Sequence, residues 1–119
     1  MTATAGKVLH FINGGYTAGS GARTFENRSP VDGSLISVVH EASRADVDAA
    51  VAAARAALTG PWGRMTQEER SAVLHKVADG ITRRFDEFLA AECADTGKPR
   101  SLASHIDIPR GAANFKIFA

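Results

Sequence analysis

Only one of the 119 residues is a cysteine, Cys93, so no internal disulfide framework can form. A lone thiol suits a reducing compartment, and the chain is read as cytoplasmic. Aromatic residues are scarce at 7%, and alanine supplies much of the apolar count, so the core available to this chain is thin. Neither sign of charge dominates: 14 Lys and Arg stand against 13 Asp and Glu, for a formal net charge of +1, and they are interspersed along the chain. Such a pattern lacks the basic stripe that a nucleic-acid partner requires. Long apolar runs are also missing. The opening MTATAGKVLHF has one lysine and no such run, and is read as neither a secretion signal nor a membrane span.

What is present fits a soluble globular chain: 45% hydrophobic and 23% charged residues, in a length suited to one domain or part of a larger one. The first third is punctuated like short strands. Asn13-Gly14 lies between Leu9, Phe11 and Ile12 on one side and Tyr16 on the other, and both turn positions tolerate positive φ, so a tight hairpin is expected. A second hairpin is expected around Pro30-Val31-Asp32-Gly33, with Phe25-Glu26-Asn27 before the turn and SLISVVHE as the β-branched strand after it.

At Ser43 the apolar period lengthens from two to about 3.6. Val47, Ala50, Val51, Ala54 and Leu58 then share one helical face, with Ser43 as the N-cap and Asp46 in the first turn. Gly60-Pro61 ends that helix. Thr66 and Glu69 form a capping box for a second helix, whose stripe is Val73, Leu74, Val77, Ala78 and Ile81. A joint is expected near Phe85, followed by a helix from Asp86 that carries Phe88, Leu89 and Cys93 and ends at Gly97-Lys98-Pro99. A last helical stretch runs from about Arg100 and is interrupted at Pro109, which fits best in a first turn. These elements make an α/β chain of hairpins followed by helices.

Few residues carry a chemical signature. Gly19-Ser20-Gly21 opens a dinucleotide fingerprint that fails at Thr24. Thr96-Gly97-Lys98 has Glu92 and Pro99 where a phosphate loop needs glycine and a hydroxyl residue, so turn and C-cap chemistry accounts for these glycines. His10, His40, His75 and His105 fall in separate elements without metal-ligand spacing, and no metal site is assigned. Cys93 follows the apolar spacing of its helix and is read as a structural thiol. Glu68, Glu69 and Asp79 belong to solvated helix faces.

Arg110 is different. It follows Pro109 at a helix start, among Ile106, Ile108, Ala112, Ala113, Phe115, Ile117 and Phe118, so the helix is expected to be buried. A guanidinium in such surroundings needs an anion, and its planar fork suits a carboxylate. Two partners remain open on spacing alone: an internal one such as Asp107, or a ligand.

Several ordered stretches, HFINGGYTAGSGARTFENRSPVDGSLISVV, ADVDAAVAAARAAL, WGRMTQEERSAVLHKVADGI and ECADTGKP, resemble the amino-terminal part of the aldehyde dehydrogenase superfamily over roughly residues 8 to 119. The ending SLASHIDIPRGAANFKIFA resembles its 2-hydroxymuconic semialdehyde dehydrogenases, with close kinship to the aminomuconic ones. The resemblance implies that residues 1–119 are the amino-terminal portion of an NAD-binding domain, cut off from the catalytic and oligomerisation parts of a homo-oligomeric parent. It implies an NAD-dependent oxidation of a carboxylated aldehyde in aromatic catabolism. The family's thiolate nucleophile, oxyanion-holding asparagine and water-activating glutamate have no match here, and Cys93 does not stand in the nucleophile motif. No cofactor-binding or catalytic residue is therefore assigned. One position carries over: the segment IDIPRG lines the family's substrate tunnel, which implies that Arg110 faces the substrate. A non-catalytic α/β interaction protein, and a dehydrogenase of another carboxylated aldehyde, are the competing readings.

Overall fold

A computed structural model of the chain describes residues 6–119. They divide after Arg64 into two compact units.

The first unit holds the strands. Asn13 and Gly14 take φ of 51° and 81°, and this pair closes an antiparallel hairpin of β2 (His10–Ile12) and β3 (Gly15–Thr17). Phe11 and Tyr16 stand directly opposite in it, with ring centroids 5.0 Å apart in an edge-on arrangement. The second expected hairpin is also present, pairing β4 (Thr24–Arg28) with β5 (Leu35–His40). Its turn is closed by Ser29 and Gly33, whose amides donate to the Ser34 and Ser29 carbonyls at 2.9 Å, with Gly33 at φ 73°. An irregularity between Asn27 and Arg28 leaves Ile36 as the extra residue on β5. On the other side of β5 lies β1 (Gly6–Val8), in parallel, giving the order β1-β5-β4.

Helix α1 (Arg44–Ala57) starts at Ser43 with both hydrogen bonds of the capping box, because Asp46 at the third helical position reaches back to the cap. Its apolar face is only lightly covered within this unit. Val47, Val51 and Leu58 are exposed, since β2 is the strand that approaches α1. The short α2 (Pro61–Arg64) begins on Pro61, whose fixed φ suits a first helical position.

The second unit is helical. Thr66 caps α3 (Gln67–Arg83) with the expected box through Glu69. The joint falls at Arg84, with φ −103° and ψ 27°, and α4 (Phe85–Thr96) follows. Gly97 ends α4 in the left-handed region at φ 69° and donates its amide to the Cys93 carbonyl. Then come α5 (Arg100–His105) and α6 (Asp107–Phe118). The break between them lies at Ile106, three residues before Pro109. A proline disrupts the helix at the carbonyl four positions back, here His105, so the interruption precedes the proline that causes it.

Leu89, Ala103 and Ile108, from α4, α5 and α6, form the core of this unit, with Ile81, Phe85 and Cys93 packed around them. Helix α6 lies along α3, where Ala78 and Ala112 are buried and their small side chains let backbones approach closely.

Candidate functional site

Helix α6 presents Arg110 in its first turn, with the Arg110 amide donating to the Ile106 carbonyl at 3.0 Å. The expectation of a buried α6 is corrected here. Within this chain only one stripe of the helix, Ile108 and Ala112, is buried, while Phe115, Ile117 and Phe118 are exposed. The helices packed on α6 are α3, α4 and α5, and they cover one side of it. Arg110 is likewise exposed, and among the described residues its guanidinium has no ion pair or side-chain hydrogen bond.

The internal partner weighed for Arg110 is taken by another cation. Lys98 Nζ donates to Asp107 Oδ2 at 2.8 Å and lies 3.6 Å from Glu92 Oε1, all three side chains being partly buried. The hydrogen bond that Lys98 donates to Asp107, aided by the charges of Asp107 and Glu92, holds the Lys98 ammonium above its ordinary pKa. This cluster was not read from the sequence, although its signal was there in part. A lysine directly after the helix-ending Gly97 is placed to turn back on its own helix, but its meeting with Asp107 depends on the turn through Pro99 and α5.

Beside this first turn an open groove of about 310 Å³ runs between α3 and α6, with Phe85, Ile108, Pro109 and Ala112 among its walls and Lys116 at its edge. The lining is largely apolar. Cys93 is half-buried against the apolar cluster, as a structural thiol would be.

The glycine-rich stretch of the first unit is occupied by the protein's own carboxylate. Asp46 Oδ1 accepts from the Ser20 amide at 2.8 Å, and Oδ2 accepts from the Ser43 amide at 2.8 Å and the Ser43 hydroxyl at 2.7 Å. A Cβ on Gly19 would lie 2.7 Å from that carboxylate. These donors, the Ser43 hydroxyl foremost, hold the Asp46 carboxyl far below the usual carboxylate range. A dinucleotide phosphate does not fit on a stretch whose donors already hold this carboxylate, so no cofactor contact is assigned to that stretch. Among the described residues no three His, Cys, Asp or Glu side chains are grouped to hold a metal ion, and no helix is long and apolar enough to cross a membrane.

The profile of the aldehyde dehydrogenase family matches residues 16–119. The chain belongs to that family. It is 67% identical over 113 residues to 2-hydroxymuconic semialdehyde dehydrogenase of Pseudomonas sp. (strain CF600), covering 95% of this chain and 23% of that protein. Its identity to 2-aminomuconic 6-semialdehyde dehydrogenase of Pseudomonas sp. is 51%, over 92% of this chain and 22% of that one. Among solved structures, the NAD+ complex of aldehyde dehydrogenase from Bacillus cereus superposes with a TM-score of 0.89 at 38% identity, covering 93% of this chain and 23% of the other. The chain thus spans 22–23% of the length of these relatives. Its hairpins and helices are those of the aldehyde dehydrogenase fold.

Proposed function

We propose that this chain belongs to an NAD-dependent dehydrogenase that oxidises 2-hydroxymuconic semialdehyde to the dicarboxylate in the meta-cleavage breakdown of aromatic compounds. The observation that carries the reading is the 67% identity to a dehydrogenase of that name over nearly the whole chain. Within the chain, Arg110 is the residue that meets the substrate's carboxylate. Its guanidinium is exposed at the head of α6 and makes no ion pair or side-chain hydrogen bond among the described residues. A planar two-pronged donor matches a carboxylate better than a point charge does. On this reading the enzyme is a cytoplasmic homo-oligomer; the lone cysteine supports the compartment, and sedimentation of the purified enzyme checks the oligomer.

A second reading keeps the reaction and changes the substrate to another carboxylated semialdehyde, favoured by the 51% identity to the 2-aminomuconic enzyme. One set of rates separates them. The full-length enzyme is assayed with NAD against the hydroxy and amino semialdehydes and against a neutral aliphatic aldehyde such as hexanal. Preference for the hydroxy compound supports the first reading, and preference for the amino compound the second. In the same assay Arg110→Ala is expected to raise KM for the carboxylated substrate roughly tenfold or more, because truncating one partner of a hydrogen-bonded charge pair strands the other. KM for hexanal is expected to change far less. Equal losses on both would remove Arg110 from recognition.

A further inference from the structure

Asp107 and Arg110 are three residues apart on α6, a spacing at which opposite charges on a helix meet and neutralise each other. In the structure they do not pair. Asp107 is instead held by Lys98, which arrives from the loop after α4 and also approaches Glu92. We propose that Lys98 is a positioning residue for substrate recognition: by engaging Asp107 it keeps the Arg110 guanidinium available to the carboxylate of the incoming aldehyde. This rests on the assignment of Arg110 above.

The local charge count supports the role. Glu92 and Asp107 are balanced by Lys98 and Arg110, so the head of α6 is neutral while one of its cations stays free of partners. Removing Lys98 does two things at once. It releases Asp107 to draw in Arg110, and it leaves a net negative charge where an anionic substrate must land. The burial of the cluster sharpens the effect, since the Lys98, Glu92 and Asp107 side chains are each only about 30% exposed and are less screened by solvent than open surface pairs. Lys98 itself need not touch the substrate. Its contacts go to carboxylates of the chain.

The test uses the full-length enzyme with NAD and compares KM for 2-hydroxymuconic semialdehyde with KM for hexanal. Lys98→Met is expected to raise the ratio of the two at least threefold, with kcat for the carboxylated substrate within about twofold, and Lys98→Arg is expected to keep the ratio near wild type. The double variant Lys98→Met with Asp107→Asn removes the carboxylate that would capture Arg110 and restores the local charge balance. Its ratio is therefore expected to return to near wild type. A parallel rise in both KM values for Lys98→Met, an unchanged ratio, or a double variant as impaired as the single one overturns the proposal. If Lys98→Met does not fold, Lys98→Gln takes its place in both comparisons, a raised ratio that the added Asp107→Asn restores supporting the role and an unchanged ratio ending it. Arg110→Ala separates the two levels of inference. If it leaves the ratio unmoved, the assignment of Arg110 fails and this role fails with it; if it moves the ratio and Lys98→Met does not, only the role of Lys98 is lost.

Discussion

Asp46 concentrates more hydrogen bonds than its place in a first helical turn requires. It caps α1 through Ser43 and also fastens the Ser20 loop, 26 residues earlier in the chain. The capping half was legible, since a serine followed three residues later by an acid marks a helix start. The loop half was not, because nothing in the spacing connects residue 20 to residue 46. The titration of Asp46 exposes both. Its folded pKa lies below the ordinary 3.8, so its stabilisation is fully present above about pH 3.8 and is lost as pH falls through the lower folded value. Amide-exchange protection at Ser20 and Ser43 is expected to persist at pH 5 and to fall only in strong acid. Asp46→Asn is expected to lower protection at Ser20 and Ser43 already at pH 7, because an amide has a single accepting oxygen and puts a donor NH2 where the second one was. Arg110 reads differently at this scale. Its identity and its place after Pro109 singled it out, whereas its freedom from Asp107 came from a lysine that local spacing does not connect to it.

Among the elements, those with local causes matched their sequence signals. The two hairpins, the N-cap at Ser43, the capping box of Thr66 and Glu69 and the glycine end of α4 each depend on residues within a few positions of one another. Strand β1 was absent from the sequence reading because three residues carry too little pattern, and its parallel pairing with β5 spans some thirty positions. The apolar period of α1 was read as a face, whereas α6 was expected to be buried on most sides and is covered on one stripe only, because periodicity does not reveal whether a partner is present to cover it. Where three elements do converge, burial is real. Leu89 is 2% exposed at the meeting of α4, α5 and α6. Leu89→Ala is expected to cost about 2 to 5 kcal/mol, the usual toll of a core leucine and the cavity it leaves. Urea unfolding of the full-length protein, followed by a probe in the helical unit, checks this; a cost below about 1 kcal/mol would mean the cluster collapses freely.

For the molecule as a whole, the balance of covered and uncovered apolar surface is the dominant fact. Phe11, Tyr16, Phe25, Val31, Leu58, Ile117 and Phe118 are each more than half exposed, and the largest buried side chains are single leucine and isoleucine residues. Exposed apolar area on this scale marks surfaces that other protein normally covers. The 119-residue polypeptide produced by itself is therefore expected to bind a hydrophobic dye strongly and to associate, which dye fluorescence and light scattering would report. A monodisperse monomer that ignores the dye would favour the interaction-protein reading instead. The sequence alone determined the two hairpin turns, the N-caps at Ser43 and Thr66, the glycine end of α4 and an interruption near Pro109, because each rests on local backbone preference. Tertiary structure alone decided that β1 joins β5, that Asp46 ties the Ser20 loop to α1, and that Lys98 rather than Arg110 holds Asp107. Each of those contacts joins residues whose separation in the chain says nothing of their distance in space, and only the packed backbone brings them together.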